Sequence, residues 1–331
     1  MTSAVIQPEK LLRQLGELWT ELGAGKEEAE HEVLRACSMT LIALTPRSAD
    51  APEIMDALAD LIPLYPCRLI TVELTPGSER TLRAGVRAHC WKPFGSRRQI
   101  CAEQVSITAS AGAADDLPPV VRALLVPDLP VLLWCLEMEL LDRPAGREVT
   151  ALAGKVIVDS QGRPPEAALA RIQKLRRAGC IAADLSWTRL TPWREALAEA
   201  WCSAAGPEPH IVDKITVAGA GERPGMEALY FAGWLSAAFP DAACVLTQAE
   251  AVAGAPGFAA VALEGPGLAL SLLPTGEYTA EIHAGDSVRT VHVAGSGQTH
   301  PLREEFGIEG RDPTYERALE RAAALAGAAQ S

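Results

Sequence analysis

The chain has 331 residues, 48% of them hydrophobic and 22% charged. That is enough apolar material for about two ordinary domains and too little charge for a long disordered tract. Asp and Glu number 42 against 30 Lys and Arg, for a formal charge of −12 at pH 7. No basic stripe interrupts this excess, which argues against nucleic acid or an anionic membrane as partner, since both are gripped through phosphates by Lys and Arg.

Residues 8–22 place Leu11, Leu12, Leu15, Leu18 and Trp19 at helical spacing among Glu9, Lys10, Arg13 and Glu17. This charged start lacks a signal-peptide apolar block, so a soluble, cytoplasmic protein is expected. After the charged segment 26–35 come a strand at 38–44 (SMTLIAL), a helix at 52–64 with Pro52 in its first turn, and a strand at 67–74 (CRLITVEL). The β-α-β order predicts parallel strands joined by a right-handed crossover. Strands at 86–91 and 100–109 should pair around a turn at Gly95. A helix at 117–125 and strands at 131–136 and 155–159 (KVIVD) complete a first unit. The apolar run 120–141 is broken by Pro127, Asp128 and Pro130, so it reads as a buried strand with its flanks and not as a membrane span.

Gly162-Arg-Pro-Pro165 marks a boundary, giving domains at 1–160 and 161–331. The second opens with a helix at 166–178 and another starting at Thr191 as N-cap with Pro192 at N1. A strand at 214–218, a helix at 226–239 and a strand at 242–248 follow. From 258 to 293 the pattern becomes a meander of about four strands, with turns at Gly265-Pro-Gly267, Thr275-Gly276 and Gly285-Asp286. A helix at 312–325 ends the chain. The fold class is therefore α/β: a mixed sheet flanked by helices in the N-terminal half, then an α+β unit with an antiparallel meander.

Residues able to do chemistry are scattered. The eight cysteines (37, 67, 90, 101, 135, 180, 202 and 244) contain no CxxC pair, and the closest two are 11 apart. They read as free thiols of a reducing compartment, most of them buried as small hydrophobes, with no structural disulfide. None of the six histidines has a metal-ligand spacing; His283 and His292, on meander strands, could meet across the sheet as a chance pair. The glycine-rich stretch 218–225 lies between a strand and a helix but has Pro224 where a dinucleotide fingerprint needs its third glycine. Glu222 would also set a negative charge against a pyrophosphate. No cofactor and no metal are expected.

Two places stand out. On strand 100–109 alternation puts Glu103 on one face with Cys101, Val105, Ile107 and Ala109. A carboxylate there is either solvated at the strand's edge or a fixed acceptor, in an interface or in a salt bridge to an arginine such as Arg68. The second is 184–195, DLSWTRLTPWRE. Trp187, Trp193 and Trp201 fall within fifteen residues, beside Arg189 and Arg194. Trp and Arg are enriched at binding hot spots, the aromatics can equally pin a helix to a sheet, and arginines at the Thr191 helix start can hold an anion. An alternating lead-in would point Trp187 and Arg189 one way and Ser186, Thr188 and Leu190 the other.

The 184–195 segment resembles the signature of the OpcA family, the glucose-6-phosphate dehydrogenase assembly proteins. Leu34-Arg-Ala-Cys37, Cys101-Ala-Glu-Gln104, residues 124–134 (LLVPDLPVLLW) and 156–160 (VIVDS), Ala232-Gly-Trp-Leu235 and Asp312-Pro-Thr-Tyr315 are similar to further blocks of that family. Where relatives have His-Pro-Ser-Arg, this chain has Tyr65-Pro-Cys-Arg68. Cyanobacterial relatives are associated with thioredoxin-linked control through cysteines near the C-terminus, and no cysteine follows Cys244 here. The resemblance implies a non-catalytic partner that binds glucose-6-phosphate dehydrogenase, with Trp187, Arg189, Trp193, Arg194 and Glu103 as candidate contact residues. The competing class is a sugar-phosphate- or nucleotide-binding enzyme using Arg189, Arg194 and the Thr191 helix start.

Overall fold

A computed structural model describes residues 6–24, 33–46, 48, 54, 56, 57, 61–91, 99–204, 211–221, 223–293, 301–308 and 310–328. The chain divides into two compact units, Met1–Asp159 with Lys174–Ala183, and Ser160–Gln173 with Asp184–Ser331.

The first unit is built on β1 (Val33–Arg35), β2 (Met39–Thr45), β3 (Cys67–Thr75), β4 (Leu82–Trp91), β5 (Gln99–Ser110), β6 (Val131–Cys135), β7 (Lys155–Val158) and β8 (Ile181–Asp184). They form one sheet in the order β1-β5-β3-β2-β6-β7-β8, with β4 also paired to β5. β2 runs parallel to β3 and β6, as the β-α-β reading requires, and β4 is antiparallel to β5. Leu41, Ile42, Leu44, Ile70, Val72 and Val105 have no exposed surface. Strands covered on both faces read as unbroken apolar runs, which is why SMTLIAL and CRLITVEL show no alternation.

Helices α1 (Pro8–Ala24), α2 (Leu117–Leu124) and α3 (Pro144–Thr150) belong to this unit. Leu11 and Leu15, one turn apart, are buried on α1, whereas Leu12 is 40% exposed. Sequence reading passed over α3 and β8; each is short, and β8 (IAAD) carries only one β-branched residue. In the predicted helix at 52–64, Ile54, Ala57 and Leu61 are helical and buried, residues 62–64 form a turn, and six positions lie outside the described residues. The Gly95 turn also lies outside them.

The cysteine expectation is overturned here. Cys90 and Cys101 form a disulfide with Cα atoms 4.1 Å apart. The antiparallel register of β4 and β5 sets the two residues directly opposite each other, and a spacing rule for local motifs does not see that pairing. Cys67 and Cys135 are buried free thiols, and burial, followed by the neighbouring Cys37, pushes the Cys67 thiol up to about 12.

After α4 (Pro165–Arg177), which crosses the division between the units, the second unit contains α5 (Leu185–Thr188), α6 (Thr191–Ala204), β9 (Lys214–Ala220), α7 (Met226–Ala238), β10 (Ala243–Ala249), the meander β11 (Phe258–Gly265), β12 (Leu268–Pro274), β13 (Thr279–Ala284) and β14 (Ser287–His292), then α8 (Leu302–Gly307) and α9 (Pro313–Ala328). The sheet order is β10-β9-β11-β12-β13-β14, parallel only between β9 and β10. All four meander strands and their turns fall where Gly and Pro placed them. Gly267 (φ 71°) and Gly285 (φ 58°) take the left-handed conformation that hairpin turns demand. Where α7 meets α9, a Cβ on Gly233 would lie 2.3 Å from the Ala318 carbonyl oxygen, so only glycine permits that approach.

Candidate functional site

The 184–195 segment lies in the second unit and is folded inward. Asp184 ends β8 and caps α5, its Oδ1 accepting from the Ser186 and Ser160 backbone N–H groups, each at 3.0 Å. Its Oδ2 accepts from the Tyr230 hydroxyl at 2.7 Å, and Asp184 has no exposed surface. Burial first, then the Asp184 carboxylate, raises the Tyr230 phenol well above its ordinary value, so it stays a neutral donor.

Because 185–188 is helical, the alternation expected of an extended lead-in is absent. Leu185, Ser186, Trp187 and Thr188 are all buried. The Ser186 hydroxyl donates to Glu227 (3.2 Å), the Thr188 hydroxyl to Glu305 (2.6 Å) and the Trp187 Nε1 to Asp312 (3.2 Å). The Trp187 ring meets Tyr230 and Tyr315 at centroid distances of 6.0 and 5.6 Å. Trp193, 1% exposed, stands edge-on to Phe258 at 5.6 Å.

Arg194 closes the cluster from outside. Its guanidinium carbon lies 3.4 Å from the Trp187 ring centroid, and the fork donates to the Trp187 carbonyl and the Thr191 hydroxyl, each at 2.9 Å. Burial lowers Arg194 to about 10, opposed by Glu304, Asp312, Glu195 and Glu305, and it remains charged at neutral pH. Thr191 is the first residue of α6, and its hydroxyl donates to Glu304 while accepting from Arg194. An anion at this helix start would meet Glu304 on the threonine and a guanidinium already stacked and bonded. Arg189, the C-cap of α5, is half-buried.

Glu103 lies apart from this cluster, in the first unit. It is 5% exposed and accepts from Arg68 Nε at 2.7 Å and Trp19 Nε1 at 2.6 Å. The expected arginine partner is thus Arg68, opposite it in the β3–β5 register. That carboxylate bonds residues of α1 and β3 from its place on β5, a clasp within the first unit.

Two smaller expectations change. His283 faces Val288 across the meander and His292 faces Thr279, so the two histidines do not pair; His283 instead lies 3.2 Å from Glu281. In the glycine-rich connection a Cβ on Gly219 would lie 2.7 Å from the Pro224 Cα. Pro224 therefore rests on the backbone where a dinucleotide's phosphates would have to approach, while Glu222 lies outside the described residues.

The cluster around Asp184 was missed from sequence because Tyr230 lies 46 positions beyond Asp184, and Asp312 lies 125 beyond the Trp187 it binds. The available signal was a pair of motifs, Asp-Leu-Ser at 184–186 and Asp-Pro-Thr-Tyr at 312–315. Asp312 binds the Thr314 and Tyr315 N–H groups and the Trp187 indole at once.

Residues 59–174 match the family described as glucose-6-phosphate dehydrogenase subunit N-terminal domain, and 181–319 the corresponding C-terminal domain. The chain belongs to the OpcA family. Among the family's members, a provisionally named OxPP cycle protein OpcA from Nostoc punctiforme is 34% identical over 186 residues, covering 54% of this chain and 39% of that protein. A namesake from Synechocystis is 30% identical over 140 residues, covering 41% of this chain and 29% of that protein. The matched stretch thus spans about two fifths or less of these OpcA relatives. A solved structure of a Gal80p super-repressor mutant from Saccharomyces cerevisiae overlays with a TM-score of 0.48 at 7% identity, covering 88% of this chain and 95% of that one. So loose an overlay identifies neither a cofactor site nor a reaction. Segments that carried the resemblance in the sequence meet here: 184–195 supplies Asp184, Trp187 and Arg194, Ala232-Gly-Trp-Leu235 the α7–α9 crossing, and 312–315 the indole acceptor.

Proposed function

We propose that this protein is a non-catalytic, cytoplasmic partner of glucose-6-phosphate dehydrogenase that promotes its assembly or allosteric activation in the oxidative pentose phosphate pathway, and so supports NADPH formation. The observation that carries this reading is the match to both dehydrogenase-subunit domains, which together run from residue 59 to 319. Binding one conformer or oligomer of the dehydrogenase more tightly than another shifts its population by that difference in affinity. The inward-folded 184–195 segment fits the role of scaffold. Trp187 and Trp193 hold the shape, and the half-buried Arg189 and Arg194 are the members of the candidate set with side chains near solvent.

The test is co-purification with the cognate dehydrogenase, followed by its assay with and without this chain. No complex and no change in rate would end the proposal. Arg189→Ala should weaken activation, and Arg194→Ala should lower both activation and melting temperature, because it also strips the cover from Trp187. If both variants activate as wild type, the contact lies elsewhere. Thermal stabilisation by glucose 6-phosphate or NADP without the dehydrogenase would instead favour the enzyme reading.

A further inference from the structure

Among the described residues, one face of the second sheet is buried and the other is in large part open. The in-register row Val217, Val261, Leu272 and Ile282 is 0–2% exposed. The next row points the other way: Val245, Thr216, Ala262, Ser271, His283 and Val288, aligned across all six strands. Val245 is 41% and Val288 58% exposed, and the four residues between them are half-buried. Such a surface on a chain of charge −12 would be expected to carry many charges. This row has none beyond a histidine, and the Glu281 carboxylate next to it lies 3.2 Å from that same His283. Lys214 and Glu264 pair with each other at the rim.

We infer that this outward face is a self-association surface on which a second copy of the chain stacks, sheet face to sheet face. Three features select a second copy. The row matches its own reverse at the ends, valine on valine, and sets small Ala262 against Ser271 at the centre, with Thr216 against His283 between them. A twofold axis running along the strands between β11 and β12 would set Val245 of each copy over Val288 of the other and Ala262 over Ser271. That is the isologous arrangement a symmetric dimer needs. The central Thr, Ala and Ser are short enough for two sheets to approach to the usual ~10 Å. Area is the third feature: six strands at ~4.8 Å spacing and about 20 Å long give on the order of 600 Å² per copy. Two copies then bury about 1,200 Å², the lower bound of stable specific interfaces, so the dimer should dissociate on dilution. A depleted charge at the centre with a charged rim is the composition such interfaces have. The inference does not depend on the dehydrogenase reading.

The experiment is a mass measurement in solution by sedimentation or light scattering across a dilution series. Wild type should weigh twice the 35.1 kDa chain when concentrated and approach 35.1 kDa when dilute. Ala262→Arg should hold the monomer mass throughout. Should that inner-strand variant fail to fold, as read by circular dichroism, the edge pair Val245→Asp with Val288→Asp carries the test. A wild-type monomer at every concentration overturns the inference, and so does a dimer that the folded variants leave intact. Protection of this face only on adding the dehydrogenase also overturns it, assigning the surface to that enzyme. Dehydrogenase activation, measured in parallel, reports separately on the proposed function.

Discussion

Two arginines, one in each unit, are removed from water in opposite ways. Arg68 is ion-paired with Glu103, which also accepts from Trp19, the Arg68 and Glu103 side chains being 8% and 5% exposed, and its other arm donates to the Leu124 carbonyl at 2.8 Å. Arg194 bonds no carboxylate among the described residues. It lies on an indole, donates to two neutral oxygens, and is surrounded by acidic groups at longer range. The first is a closed ion pair whose value depends on both members being present. In the second, removal of the cation leaves the indole still bonded to Asp312 and the carboxylates still holding their hydroxyl donors. A buried charge is therefore brittle in the first unit and buffered in the second.

The largest effect should come from removing what the buffered site is built on. Trp187→Ala opens a cavity beside Tyr230 and Tyr315, leaves Asp312 without its indole donor, and takes the platform from Arg194. The expected loss is about 5 kcal/mol, at the top of the range for buried aromatics. Denaturant unfolding would measure it, and activation of the dehydrogenase should fall only as folded protein is lost. A loss below about 2 kcal/mol would mean that the cluster repacks and the platform is dispensable.

The brittle site should come next. Arg68→Ala leaves a buried carboxylate without its countercharge and should cost about 3–5 kcal/mol, whereas Arg68→Met combined with Glu103→Leu should fall within about 1 kcal/mol of wild type. If the double variant is as unstable as the single, Glu103 matters through its bond to Trp19 and the ion-pair account is wrong. The Cys90–Cys101 link on the same sheet should follow, contributing about 2–3 kcal/mol for a loop of this length. Intact mass without reductant should be two hydrogens below that of eight free thiols, and reduction should lower stability by that amount.

How much of this was legible beforehand varied with sequence distance. The meander and its turns were, because each hairpin is local and Gly265, Gly267, Gly276 and Gly285 mark its corners. Strands β2, β3 and β6 were, as apolar runs. The disulfide was not, since it depends on strand register and not on spacing. The Trp/Arg segment announced itself by composition, but which way its side chains pointed depended on Asp184 capping a helical turn. That in turn depended on Tyr230, Glu305 and Asp312, none of them a local neighbour. Composition found the segment, and only long-range contacts could say that it is folded inward.

A third arginine, paired with a carboxylate but far more exposed, gives the smallest expected effect. Arg80 binds Asp116 through two bonds, the Nε–Oδ2 distance being 2.6 Å, but its side chain is 61% exposed against 8% for Arg68. The hydrogen bond from Arg80 holds the Asp116 carboxyl below its ordinary value of 3.8, opposed by burial and reinforced by the Arg80 charge. A carboxyl lowered in the folded state contributes stability that is fully present above the unfolded value. That contribution disappears as the pH falls through the folded value, so any effect is confined to the region below about pH 4. Water screens the pair, and the two ends of such a bridge are ordinarily worth little at neutral pH. Arg80→Ala should therefore leave the melting temperature at pH 7 nearly unchanged while returning the Asp116 titration, followed by NMR, toward 3.8. A pH 7 loss as large as that of Arg68→Ala would show that exposure does not separate these pairs, and the contrast between closed and open arginine sites would fail.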